Sequence, residues 1–157
     1  MTNLANKLRR GFTLIELLVV IAILGILATI GLSNFQTARI KALDAQRKSD
    51  LATVAKSLEA YVNDHQAYPP SNGSNEIECQ GTTVCAWGTP FTDGATTYTA
   101  ALPTDPSGYT YQYISTGTGF TLYAYLQNDK DPAVNTNITQ SCGAATCNYK
   151  VTSSNIH

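Results

Sequence analysis

Between Leu17 and Ala38 the chain carries no charged residue. At about 1.5 Å per helical residue, that run of about 22 residues is long enough to cross a hydrocarbon core about 30 Å thick. No proline interrupts the chain from Phe12 to Tyr68, and Gly25, Gly31 and Ser33 only weaken a helix. Such a segment has to be covered, by lipid or by other helices. Its flanks narrow the choice. Lys7, Arg9 and Arg10 precede it with no acid among them, and one carboxylate, Glu16, stands at its start. A cleaved secretory signal has an apolar region of about 7–15 residues and a small-residue cleavage site, and it has no use for an acid. A plain anchor explains the length but not Glu16. An acid at a bilayer centre costs about 2.5–3.5 kcal/mol on insertion scales, less near the interface, and is usually paired.

The chain has 157 residues and a net charge of −1, so bulk charge gives no reason to expect a nucleic-acid partner. Cys79, Cys85, Cys142 and Cys147 all lie beyond the apolar run. An even count in a polar region points to two disulfides. Four cysteines allow three pairings; the local one, Cys79–Cys85 with Cys142–Cys147, is the simplest. The alternative is a zinc site of four thiolates, but the spacings are C-x5-C and C-x4-C rather than C-x2-C knuckles.

After the apolar run the helical pattern continues. Leu51, Val54, Ala55, Leu58, Tyr61 and Val62 share one helical face, Asp44 and Lys48 form an i, i+4 pair, and "YPP" at Tyr68–Pro70 ends the helix. A break near Ser33–Asn34 is the alternative to one continuous helix. Residues 71–97 are dense in Gly, Ser, Asn and Thr and are expected as loop, with Trp87 and Phe91 pinning it to the core. "YTYQYIS", the turn "TGTG" at Thr116–Gly119 and "FTLYAYLQN" predict a β-hairpin, with Phe120, Leu122, Ala124 and Leu126 facing the core. "CNYKVT" predicts a third strand. The expected fold is α+β, a long N-terminal helix packed against a small antiparallel sheet.

The stretch "RRGFTLIELLVVIAILGILATIGL" resembles the class III signal and N-terminal helix of the type IV pilin family, which includes the pseudopilins of type II secretion. The resemblance rests on the basic leader ending in Gly11, then Phe12, Thr13, Leu14, Ile15 and Glu16, then the apolar run, and covers roughly residues 7–40. Many members carry a proline after that run; here the chain reads Leu32-Ser33-Asn34. The resemblance implies a pilin-like division into a leader, residues 1–11, a transmembrane or filament-core helix, 12–38, and a soluble head, 39–157. The head comprises the amphipathic helix 39–67, the loop 68–97, and the sheet with a C-terminal loop, 98–157. It also implies that a prepilin peptidase cuts between Gly11 and Phe12 and methylates the new Phe12 amine. Glycine offers no side chain to obstruct a peptidase. Glu16 would then pair with the Phe12 amine of a neighbouring subunit and set register.

Charge alone leaves the topology open, because Arg39, Lys41, Arg47 and Lys48 flank the far end of the run. The leader's resemblance, with the four cysteines, implies a cytoplasmic leader and a head outside, in a single-pass inner-membrane precursor that moves to a periplasmic or surface filament. No local catalytic motif or phosphate-binding glycine loop is present, so the chain reads as a structural subunit, not an enzyme. No cofactor is expected. "NDKDPAVNTN" is oxygen-rich and resembles the calcium-binding C-terminal loop of secretion pseudopilins, which makes Asp129 and Asp131 candidate calcium ligands; it lacks the EF-hand glycine and glutamate. The leading expectation is a subunit of a type IV pilus-like filament. The alternatives are a type II secretion pseudopilin and a single-span anchored domain that never polymerises. Expected partners are identical and related pilin subunits, the peptidase, an inner-membrane assembly platform, and lipid before assembly.

Overall fold

One α-helix, α1, runs from Leu14 to His65. The computed structural model describes residues 11–81 and 83–153, without the side chains of residues 29–34 and Gln80. Helix α1 continues through Ser33 and Asn34, so a weak glycine and serine content does not break it where the proline is missing. It ends where Gln66 takes a left-handed conformation at φ 60°, ahead of Pro69 and Pro70. The chain divides into two compact units, residues 1–39 and 40–157.

In the described part of the first unit, apolar side chains project on every side of the helix. Phe12 is 80% exposed, and Leu14, Ile15, Leu17 through Ile21, Ile23, Leu24, Ile26 and Leu27 are also exposed. Among the described residues no helix is long and apolar enough to cross a membrane. The uncharged stretch described with its side chains stops at Ala28, short of the about 20 residues a span needs.

The second unit carries the core. A three-stranded antiparallel sheet has the order β5 (Gln112–Ser115), β6 (Phe120–Ala124), β7 (Tyr149–Thr152). Ser115 pairs with Phe120 and Ala124 with Tyr149. The β5–β6 turn closes through Thr116 N donating to Gly119 O at 2.9 Å, with Gly117 at φ 81°. That positive φ suits glycine. Leu51, Val54, Ala55 and Leu58 of α1 are buried in one cluster with Tyr111, Tyr113, Phe120, Leu122 and Ala124. The tyrosines reach polar ends: Tyr113 donates to Pro69 O at 2.7 Å and Tyr111 to Asp50 at 2.8 Å. A buried aromatic with its hydroxyl satisfied contributes apolar area without an unpaired group.

Residues 71–97, expected as loop, hold strands instead. β1 (Ile77–Gln80) pairs with β2 (Thr83–Cys85), and β3 (Phe91–Thr92) pairs with β4 (Thr97–Thr99). These strands are two to four residues long, too short to display an alternating pattern in the sequence. Phe91 is fully buried and stacks on Tyr61 at 5.5 Å; Trp87 is half-buried and meets the Tyr111 ring edge-on at 5.5 Å. The second of these segments therefore sits against the helix.

Candidate functional site

At the start of α1 the polar groups of Thr13 and Glu16 close on each other. The Glu16 carboxylate accepts hydrogen bonds from Thr13 N at 2.8 Å and Thr13 Oγ1 at 2.7 Å, and Glu16 N donates to Thr13 Oγ1 at 3.3 Å. This is a reciprocal capping box, threonine before the first helical residue and glutamate three positions on. The first turn of a helix has unpaired N–H groups and a partial positive charge, so it favours a carboxylate there. Glu16 is thus held within its own chain, at the helix end, with its side chain exposed. Gly11 has no heavy atom within 4 Å of the position a Cβ would take, and Phe12 is open. The bases expected in the leader, Lys7, Arg9 and Arg10, lie outside the described residues.

In the head, sequence reasoning missed the central polar cluster. By sequence Arg47 stands only as a charge flanking the apolar run. Its side chain is 0% exposed, beside Asp44 at 1% and a fully buried Asp105. Nε donates to Asp105 Oδ2 at 2.6 Å and an Nη to Asp105 Oδ1 at 3.2 Å, a bidentate pair. The other Nη reaches Asp44 at 2.6 Å. Burial pulls the Arg47 pKa down, and the Asp105 and Asp44 carboxylates outweigh it, so the net direction is up. Asp44 also accepts the backbone N–H groups of Gln127 and Asn128, at 2.9 and 2.8 Å. One arginine thereby ties α1 to the segment before the sheet and to the segment after β6. Asp50, nearby, has its pKa raised by burial against the opposing hydrogen bond from Tyr111.

The expected Asp44–Lys48 pair does not form. Asp44 is taken by Arg47, and Lys48 Nζ donates to Asp131 at 2.6 and 2.7 Å. Asp129 is exposed, and among the described residues no group of three or more His, Cys, Asp or Glu side chains could hold a metal ion. The cysteines form the local pairs, Cys79–Cys85 and Cys142–Cys147. That arrangement leaves no thiolates for zinc. The first bridge joins β1 to β2; the second closes a turn beside Thr110, whose N–H donates to Cys142 O at 3.1 Å.

Comparison with known proteins fits this arrangement. The family described as "Prokaryotic N-terminal methylation motif" matches residues 6–32, and "Type II secretion system (T2SS), protein G" matches residues 34–141. The chain belongs to the type II secretion system protein G family. Its relatives include core protein G of Pseudomonas aeruginosa, 34% identical over 80% of this chain and 89% of the relative. Core protein G of Dickeya chrysanthemi is 36% identical over 71% of this chain and 72% of the relative. Core protein G of Aeromonas hydrophila is 33% identical over 71% and 77%. No solved structure matches the chain. Protein G membership corrects the leading expectation of a pilus subunit in favour of its stated alternative, the secretion pseudopilin. It is a family of structural subunits that assemble with other pseudopilins.

Proposed function

We propose that this chain is the repeating pseudopilin of a type II secretion system, a structural subunit whose filament drives folded proteins out of the cell. The observation that carries the reading is the first unit. It is a helix apolar on every side, with one carboxylate held at its N-terminal turn. A helix of that kind is stable only when fully surrounded, by lipid or by like helices. Residues 12–38 form the inner-membrane span of the precursor and then the packed centre of the filament. Prepilin peptidase removes residues 1–11 after Gly11 and methylates the Phe12 amine. Glu16 leaves the Thr13 cap and meets the Phe12 ammonium of the next subunit. Away from water the two charges attract strongly, and either one alone would be costly. That pairing sets the axial register, and head-to-tail repetition without closure gives a filament.

The head stands on the periplasmic side, where two disulfides persist. Other pseudopilins, the peptidase, the inner-membrane platform with its separate ATPase, and lipid before assembly are the partners; nucleic acid is not one. Two measurements test the reading. Mass spectrometry of the mature protein should find an N-terminus at methylated Phe12, and deleting the gene should leave exported proteins in the periplasm. An intact Met1 terminus in assembled material, or normal export in the deletion strain, refutes it.

A further inference from the structure

The loop after β6 is oxygen-rich, yet the groups it presents do not fit a calcium ion. Calcium takes 6–8 oxygen ligands at about 2.3–2.6 Å. Here the one carboxylate at the centre of the loop already has a cation. Lys48 Nζ lies 2.6 Å from Asp131 Oδ1 and 2.7 Å from Asp131 Oδ2. Oδ1 also accepts Ala133 N–H at 2.9 Å. A divalent ion bound to the same carboxylate would stand within a few ångströms of the ammonium, where like charges repel strongly. Asp129 is exposed, and among the described residues no third acidic side chain joins the pair.

The loop is closed by its own groups. Asp131 N–H donates to Asn128 O at 2.9 Å, and Val134 N–H to Asp131 O at 3.0 Å. Asn128 N–H is held by Asp44 at 2.8 Å, and Asn135 N–H by Asn148 O at 2.7 Å. The Lys48 ammonium also sits over the Tyr149 ring, 5.8 Å from its centre, so helix, loop and strand β7 meet at one charge. Lys48 and Asp131 are only partly exposed, at 32% and 16%, which reduces solvent screening of the pair.

We propose that the Lys48 ammonium is the resident cation of this loop, so that residues 128–134 close on α1 without a divalent ion. The head is then folded and assembly-competent whatever the calcium concentration around it. The test uses the full-length protein in detergent, melted with near-ultraviolet circular dichroism as the readout, in millimolar calcium chloride and in excess chelator. Coincident midpoints are expected. A site of micromolar affinity would raise the midpoint by several degrees in calcium, and that result overturns the proposal. Lys48→Gln gives a second reading by amide hydrogen exchange. Loss of the ion pair should speed exchange at Asp131 and Ala133 by about 1.5- to fivefold, as expected for a partly exposed pair. Unchanged exchange at both amides also overturns it.

Discussion

Replacing Arg47 with methionine keeps most of the side-chain volume and removes the charge that two buried aspartates share. Arg47 makes a bidentate pair with Asp105 and a third short contact with Asp44, and none of the three side chains is more than 1% exposed. Removing one partner of such a buried set leaves uncompensated charge and costs about 3–5 kcal/mol. Here the low end applies, because the orphaned carboxylates keep other donors. Asp44 retains the N–H groups of Gln127 and Asn128, and Asp105 retains those of Ser107 and Tyr109, at 2.7 and 3.3 Å. A loss of about 3 kcal/mol is a large fraction of the about 5–15 kcal/mol that holds a domain together. With a urea slope of about 1–3 kcal/mol/M, the midpoint should fall by about 1–3 M. Urea unfolding followed by Trp87 fluorescence in the full-length protein measures it. The double variant Arg47→Met with Asp105→Asn should be less damaged than additivity of the singles allows, by about 1–2 kcal/mol, because the second change removes one orphaned charge. If Arg47→Met unfolds at the wild-type urea concentration, the cluster is not holding the helix to the sheet, and the reasoning fails.

Three further outcomes follow from the head. Reducing either disulfide releases a short loop, with cysteines six and five residues apart, so each should cost about 2 kcal/mol by loop entropy; thermal melts with and without reductant check this, and an unchanged midpoint speaks against it. Alkali should unfold the head. Burial and the Glu59 carboxylate push Tyr68 up to about 12, and burial raises Tyr111 and Tyr113 as well. A tyrosine whose folded pKa is raised stabilises fully below its unfolded pKa of about 10 and loses that contribution as pH climbs through the folded value. Tyrosinate absorbance of these residues should therefore rise together with loss of the circular dichroism signal, and reversible titration near the unfolded value without unfolding contradicts it. Gly143→Ala should destabilise by about 1–3 kcal/mol, because φ is +82° and an added Cβ would stand 3.1 Å from Thr110 Oγ1; a chemical melt indistinguishable from wild type would refute the strain.

The long helix and the hairpin at Thr116–Gly119 were legible because the runs around them repeat with a clear period, and the third strand because "CNYKVT" carries the β-branched and aromatic residues a strand favours. Leu51, Val54, Ala55 and Leu58 repeat at helical spacing, and Phe120, Leu122, Ala124 and Leu126 at strand spacing, and all eight are buried. β1 to β4 were not legible. Their stability comes from pairing, a disulfide and the burial of single side chains such as Ile77 and Phe91, none of which leaves a local pattern. The Arg47 cluster was hidden for a related reason. Asp105 lies 58 residues from Arg47 and Gln127 lies 80, so only the folded chain brings them together. The Asp44–Lys48 spacing suggested a helix-surface pair, but each side chain found a partner that packing had placed closer. The capping box could have been read directly, since Thr13 and Glu16 stand in the required order and spacing ahead of an apolar run.

Glu16→Gln separates the capping role of that residue from the intersubunit pairing proposed for it. Glutamine at the third helical position still completes a capping box with Thr13, whereas it cannot form an ion pair with the Phe12 ammonium of a neighbour. The decisive measurement is filament assembly by electron microscopy in cells expressing Glu16→Gln, with mass spectrometry of the same protein. The expected result is a subunit cut after Gly11 and retained in the inner membrane, with filaments lost. Filaments of normal number and length built from Glu16→Gln subunits would contradict it.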